Sequence, residues 1–573
     1  MSVFSHKTAK YAKPPVKKYI NMNGKKMGKN KFAGFCLCVL PFILGCASNG
    51  NKIASAEKID YSLEDVRNAE IERVMQIADE KPVHALWRAS LVDDADLIDL
   101  CFEKIRKLYE NAKDEKDYFT CLRLFQSLKA AGYPKIAELN VELSQLEESC
   151  RSGVPGLENE MHSSEGIKRD FPENVSQYIE GTVTVWVDQG IKVERGVGFA
   201  DRVIGSGFFI SKDGYIVTNH HVIKNVVDTK FEGVARLYVR LADDPDTRIP
   251  AKVIGYDELF DLALLKIEVD APYVFSLGSS SQLSVGDRIY AIGSPIGLDR
   301  TLTSGIVSAK NRKLFSTGSV FQIDAAVNGG NSGGPCIDVN GNVQAIVFAG
   351  MPQYQGLNFA IPVEYLKTDL PMLFHGGKRE HVWLGGFGHT LRQGNVSKGV
   401  EIQYVMSSGA AQRSGLSSGC VITAVNGKEV NSLEDFQTVL RQFVPETLIL
   451  LDYIDASENE KTVLVYLDVR PEKPGKTVYE HDLRETSFIP LFGMGLRAVS
   501  TTSSRKYAIS TIIKGGIADE SGFSENDPVD IGKVKFSEDD SYLSVEIYAR
   551  KRKKGYLDVG VSIATPLDSP YYF

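Results

Sequence analysis

The sequence predicts a multidomain chain in three parts: a small all-α segment, an all-β centre, and a C-terminal third of α+β modules. Between about Ser62 and Glu148, apolar residues recur every three or four positions, which is the period of a helix. From Thr182 the period becomes two: Val183, Val185 and Val187 alternate with Thr184 and Trp186. Beyond about residue 380, glycine-rich blocks recur, Trp383 to Gly388 being echoed by Phe492 to Leu496. At 573 residues the chain is too long for a single core.

Composition narrows the function classes. The chain is 43% hydrophobic and 24% charged, with 51 glycines and 22 prolines, an ordinary globular balance with many turns. A net charge of −7 argues against nucleic acid as a partner. Eight cysteines are too few for a disulfide scaffold and show no pair-of-pairs zinc spacing, so no metal is expected. No glycine-rich loop ends in Gly-Lys-Ser/Thr, so no ATP dependence is expected, and nothing points to another cofactor.

The N-terminus carries an address. Lys25, Lys26 and Lys29 precede the short apolar run from Phe32 to Gly45, the layout of an export signal. Residues 1–21 lie upstream of any normal signal, which makes Met22 or Met27 an alternative start. The segment closes with Ile43-Leu44-Gly45-Cys46, which resembles a bacterial lipobox with Cys46 as the lipidated residue. That resemblance implies a membrane-anchored lipoprotein in the cell envelope, on the periplasmic side; a cleaved secretory signal or an uncleaved anchor are the alternatives. Residues 1–46 are thus an over-long start plus signal, and 47–61 a polar tether.

Residues 62–150 are expected to be helical. Leu97, Cys101, Ile105 and Leu108 form one stripe, and Ile136, Leu139, Leu143 and Leu146 another. Gly132-Tyr133-Pro134 separates two helices, the earlier carrying Leu122, Phe125 and Leu128. A bundle or a pair of helical hairpins fits, serving either as a spacer or oligomerisation domain or as a partner-binding one. Residues 151–175, rich in Ser, Gly and charge, read as a linker.

The centre, 176–372, carries the chemistry. In the run from Ile323 to Pro335, Ser332 stands between glycines after an apolar strand, so that backbone amides can converge on one point as acyl transfer requires. Two apolar strands around Asp213-Gly214 end in a short loop with His220 and His221. Asp261 opens the apolar strand Leu262 to Ile267, where an acid can be solvated, cap a turn or face a histidine. His221, Asp261 and Ser332 follow one of the chain orders known for a Ser-His-Asp triad.

Thr218-Asn219-His220-His221-Val222, Asp261-Leu262-Ala263-Leu264-Leu265-Lys266 and Gly330-Asn331-Ser332-Gly333-Gly334-Pro335 resemble the three catalytic blocks of the HtrA/Deg family of trypsin-like serine proteases. Gly356-Leu357-Asn358-Phe359-Ala360-Ile361-Pro362 is similar to that family's closing barrel motif. The resemblance implies a chymotrypsin-like double barrel in which Ser332 is the nucleophile, His221 the general base and Asp261 its orienting acid. The Gly330 and Ser332 amides would form the oxyanion hole. It also implies a primary pocket near Val327, Val347, Phe348 and Leu357, which offers no acid and so suits a small or medium apolar residue. Gly329 departs from the family, where proline is common, and gives the loop freedom to relax into an inactive form. Cys336 reads as small core filler.

Trp383-Leu384-Gly385-Gly386-Phe387-Gly388 and the run Ser408 to Lys428 resemble the PDZ domains that follow HtrA proteases, with Cys420 where aspartate is usual. Leu384, Gly385, Gly386 and Phe387 would be the carboxylate-binding loop of a first PDZ domain, 380–470, and Leu433 to Phe443 its groove helix. A linker, 471–487, leads to a degenerate PDZ-like domain, 488–573, in which Phe492 to Leu496 and Gly515 to Phe523 echo the layout. Arg550 to Lys554 reads as a charged turn, or as a contact for anionic lipid.

The expected function is an ATP-independent serine endopeptidase that cleaves unfolded or misassembled exported proteins, with PDZ recognition of peptide C-termini. The alternative is a latent protease acting mainly as a chaperone or peptide-binding envelope protein. The family resemblance implies homo-oligomers, trimers or multiples of them.

Overall fold

The computed structural model describes residues 61–157, 175–194, 196–294, 300–313, 318–350, 357–499, 506–553 and 555–573. The chain divides into Met1–Asn51 and Lys52–Phe573, and every described residue lies in the second unit. The signal, Cys46 and most of the tether therefore lie outside the described residues, as do 158–174 of the expected linker. Among the described residues no helix is long and apolar enough to cross a membrane.

The first part is helical, with helices Glu64–Ile77, Pro82–Val92, Ala95–Glu115, Tyr118–Ala130 and Leu143–Arg151. Their starts follow from capping. Pro82 sits in a first turn, where its missing N–H is harmless, and the Asp94 and Asp117 carboxylates accept the N–H groups of Leu97 and Thr120. Leu97, Cys101 and Ile105 are buried as their spacing predicts, but Leu108 is 41% exposed, and Tyr109 and Ala112 continue the stripe instead. The second stripe is not one helix. Ile136–Leu139 is a single 3₁₀ turn, and Asn140, at φ 48°, breaks the chain before the helix that carries Leu143 and Leu146.

These helices do not stand off from the rest. Their core includes Leu448 and Tyr466 of the first PDZ-like module. Trp87 Nε1 donates to Leu464 O at 3.2 Å, the Leu448 N–H donates to Ser127 Oγ at 3.1 Å, and His84 stacks on Tyr466. Burial, reinforced by Arg88 and Arg413, pulls the His84 pKa down to about 4, so this ring stays neutral in the interface. The beginning of the expected linker is docked too: Val154 is buried beside Tyr178 in the core that also holds Phe208 and Phe275.

Two β-structures form the centre. In the first, the strands run in the order 252–257, 262–266, 215–218, 197–209, 182–194, 236–240, flanked by two short edge strands. The long hairpin Thr182–Glu194/Val197–Phe209 pairs Thr182 with Phe208 and takes a bulge between Asp188 and Gly190. Val183, Val185 and Val187 point into its core with Phe209, Ile216 and Leu265. The second is a closed barrel in the order 319–323, 358–362, 343–350, 335–337, 288–293, 301–313. Cys336, fully buried, is filler in its core. The two histidines sit in the first turn of a helix, His220–Val227, rather than in a loop.

The first PDZ-like module has strands Gly386–Gln393, Val396–Val405, Val421–Val425, Leu448–Ile454 and Glu460–Tyr466, with the helix Leu433–Leu440 capped by Ser432. The expected linker 471–487 instead carries the helix Pro474–His481 and the start of Arg484–Phe492. Its Asp482 accepts the Tyr404 hydroxyl and the Ser407 N–H, which fixes the two modules together. The second module is a five-stranded sheet, 494–498, 507–512, 528–536, 542–553 and 555–566. Where the first module has its groove helix, the second passes straight through the turn 537–541 into the next strand. Among the described residues, no helix stands at that place in the second module. Arg550 to Lys553 lie in the fourth strand of this sheet, so the basic run is a strand end rather than a turn; Lys554 lies outside the described residues.

Candidate active site

Asp261, at φ 54°, leads into the strand Leu262–Lys266, which pairs with Tyr215–Thr218, the strand leading to His220. That pairing brings the two chemical groups together. Asp261 Oδ1 accepts the backbone N–H of His221 at 2.7 Å, and Oδ2 lies 2.6 Å from its ring Nδ1. One carboxylate thus fixes both the helix start and the imidazole. Asn219, fully buried, donates from Nδ2 to Asp261 O at 2.8 Å and holds the two strand ends in register.

Partial burial lowers the pKa of His221, but the Asp261 hydrogen bond and charge more than offset it, leaving it above the ordinary 6.5. The side chain is 45% exposed, open to a reactant. His220 points elsewhere: its ring stacks on Tyr256 at 5.2 Å, and burial lowers its pKa despite nearby carboxylates. The first turn of a helix separates the two rings.

Ser332 stands on the loop between the strands Ser319–Ile323 and Pro335–Ile337. The Asn331 N–H donates to Asn328 O at 3.1 Å and closes a turn in which Gly330 has φ 105°. A positive φ at the third position marks a type II turn. Among the described residues, neither the Gly330 nor the Ser332 N–H donates to another group. Ser332 Oγ donates to Phe348 O at 3.3 Å, and no hydrogen bond joins it to His221. His221 and Asp261 are therefore assembled, while the serine hydroxyl is turned toward the second barrel.

Ser206, which the sequence reading did not single out, braces this loop from the first sheet. Its Oγ donates to Gly330 O at 2.6 Å and accepts from Ser294 N at 2.9 Å, while its N–H donates to Ser332 O at 2.7 Å. Its own carbonyl accepts the Thr218 hydroxyl. The only sequence signal was a small polar residue inside the apolar run Gly205 to Ile210.

The expected pocket is only partly assembled. Val347 is fully buried in the second barrel's core, because on the strand Val343–Gly350 the odd positions 345 and 347 face inward; it cannot line a pocket. Phe348, one residue on, lines a cleft of about 940 Å³ that also holds His221 and Asp261. Val327 and Leu357 are half-buried. The far side of that cleft is walled by Lys378, Arg470 and Glu472 before the second module, and by Asp539 and Ser541 within it.

At the first PDZ-like module, the Gly385 and Gly386 N–H groups converge on a single oxygen and Phe387 lies on a paired strand edge, whereas Leu384 is buried in the core. Two of the four residues expected to grip a carboxylate therefore present amides at one point.

Comparisons with known proteins agree with this architecture. The model of a trypsin-like peptidase domain matches residues 205–346, that of a PDZ domain 379–443, that of a TP0546 family PDZ domain 475–567, and that of a domain of unknown function 65–150. A probable periplasmic serine endoprotease, DegP-like, from Hahella chejuensis is 39% identical over 238 residues, 39% of this chain and 49% of the relative. A protein so described from Chlamydia trachomatis serovar D is 33% identical, covering 52% of this chain and 61% of that one. One from a Marinomonas species is 33% identical over 57% of this chain and 70% of its own length. The chain thus spans about half to two thirds of the relatives it matches. It belongs to the DegP-like serine endoprotease family and carries a trypsin-like peptidase domain, an N-terminal helical region and two PDZ-like modules.

Proposed function

We propose that this chain is an ATP-independent serine endopeptidase that cleaves unfolded or misassembled exported polypeptides through an acyl-enzyme. The supporting observation is the two-oxygen grip of Asp261 on His221, facing a serine loop with two unspent amides. In the proposed reaction Ser332 Oγ swings from Phe348 O to His221 Nε2, loses its proton there and attacks the peptide carbonyl. The N–H groups of Gly330 and Ser332 donate to the developing oxyanion, and His221 returns the proton to the leaving amine. Water then enters by the same route and releases the acyl group. Phe348 and Leu357, without an acid, favour an apolar residue before the cleaved bond. The first PDZ module takes substrate chain ends, Cys46 anchors the protein on the periplasmic side of the envelope, and copies assemble into trimers or multiples.

A test uses the full chain with reduced, unfolded casein and a fluorophosphonate probe. Cleavage together with a covalent label mapped to Ser332 is expected; neither cleavage nor label would overturn the reading. The second reading, a latent protease acting as a peptide binder, is favoured by the Ser332–Phe348 hydrogen bond. Label and cleavage that appear only after an apolar peptide is added would support it. Palmitate incorporation that is lost in Cys46→Ala checks the anchor.

Two further outcomes are expected. Only neutral imidazole can take the serine proton, so kcat/KM should rise with pH along an acid limb centred above 6.5. A limb centred below that value would contradict the Asp261 contact. The same contact stabilises the fold below pH 6.5, and that contribution is lost as pH rises through the raised value. Ser206→Ala leaves the Gly330 carbonyl and Ser294 N–H without their partner and should cost about 1–3 kcal/mol in denaturant unfolding. By loosening the serine loop it should also lower kcat by up to about 10²-fold. Unchanged unfolding and kcat would show that Ser206 does not brace the loop.

A further inference from the structure

The groove of the first PDZ-like module is filled by the chain itself. After Leu567, buried in the second module's core, the chain crosses back to the first. Phe573 O accepts the N–H groups of Gly385 at 3.0 Å and Gly386 at 2.9 Å, the Phe573 N–H donates to Gly386 O at 3.0 Å, and the Gly388 N–H donates to Tyr571 O at 3.1 Å. Tyr572 pairs antiparallel with Phe387. This is strand addition to the edge Gly386–Gln393, the way such modules hold extended peptides.

The side chains fit as a ligand fits. The Phe573 ring is buried and meets Phe436 of the groove helix edge to face at 5.3 Å. A Cβ at Gly386 would stand 2.3 Å from that ring, so glycine makes the space for an aromatic residue here. Tyr571 stacks on His389 at 4.2 Å, and Lys313 of the second barrel lies 4.9 Å from the Tyr571 ring. Gln437 Nε2 donates to Pro570 O at 2.6 Å, and upstream Arg470 Nη1 donates to Asp568 Oδ2 at 3.2 Å.

We propose that Pro570–Phe573 is a tethered ligand of this groove, which therefore selects polypeptides carrying an aromatic side chain and binds them only by displacing it. The proposal rests on the reading of this module as a peptide binder. A short tether keeps its ligand at an effective concentration of about 1 mM, so a free peptide with intrinsic Kd of ~10–100 µM is held off by about 10- to 100-fold. Groove-helix neighbour Arg441 stands over Phe260, the residue before Asp261, and over Tyr365, and only a cavity of about 90 Å³ remains between these residues and the tail.

The test titrates a fluorescent peptide, Asp-Ser-Pro-Tyr-Tyr-Phe, into the full chain, into a variant lacking residues 569–573, and into Asp568→Asn, which leaves every groove residue in place. Fluorescence anisotropy should show about 10- to 100-fold tighter binding to the shortened chain and an intermediate gain for Asp568→Asn. A peptide ending in Ala should not bind. Equal affinity for the full and shortened chains would overturn the tethered ligand while leaving the groove reading intact. Absence of binding to every form would overturn both. Should the shortened chain fail to melt cooperatively, Asp568→Asn decides, and an affinity equal to that of the full chain overturns the proposal.

Discussion

Asp261→Asn is expected to lower kcat on an unfolded substrate by about 10⁴-fold while leaving the thermal midpoint almost unchanged. The two oxygens of Asp261 do different work. Oδ1 accepts the backbone N–H of His221, and Oδ2 holds its Nδ1. An asparagine can keep the first contact with its carbonyl oxygen, so the helix start survives. Its amide group then faces Nδ1 as a donor, which drives the imidazole proton to Nε2 and leaves no acceptor for the serine hydroxyl. Asparagine is also one of the few residues that tolerate the left-handed backbone found here, φ 54°, so the substitution adds little strain. Alanine would mix a lost contact with a strained backbone and is the poorer probe. A kcat within tenfold of the parent would remove Asp261 from the mechanism.

The candidate triad was legible because each of its residues lies in a short block whose local geometry is nearly self-contained. A strand end delivers Asp261, a helix start His221, and a glycine turn Ser332. Ser206 was not legible, because its partners Gly330, Ser294 and Ser332 are brought to it only when the first sheet and the closed barrel pack together. Val347 was misplaced for a related reason: facing a pocket or a core is decided by one step of strand parity, which an all-apolar run conceals.

The C-terminal errors share another cause. Pro474-Gly475 looks like a linker by composition, yet proline is well placed in the first turn of a helix, and Pro474–His481 uses it there. Tyr571-Tyr572-Phe573 has no strand period of its own. It pairs only because Gly386 and Gly388 present an edge to it. In the helical region, the stripe from Ile136 to Leu146 kept its apolar spacing across Asn140, where the backbone turns left-handed and the helix has to restart. Periodicity reports which residues are buried, but not whether one continuous element carries them.

Gly330→Ala is expected to lower kcat by about 10²- to 10³-fold, with KM on a long unfolded substrate little changed. Gly330 has φ 105°, a conformation that side chains with a Cβ rarely adopt, and it occupies the third position of the turn closed by Asn328 and Asn331. An alanine there favours the turn form with negative φ, which rotates the Gly329–Gly330 peptide and takes one amide out of the hole while His221, Asp261 and Ser332 stay in place. Substrate contacts elsewhere in the cleft are untouched, so the loss falls on the transition state. The neighbouring position supplies the converse. Nothing lies within 4 Å of a Cβ built at Gly329, and the second position of a type II turn suits proline. Gly329→Pro should stabilise the chain by about 0.4–1 kcal/mol and hold the hole open. If the loop of the parent relaxes at rest, this variant will show a higher basal rate; equal rates would mean that the amides of Gly330 and Ser332 are already set, and that control resides at the PDZ groove instead.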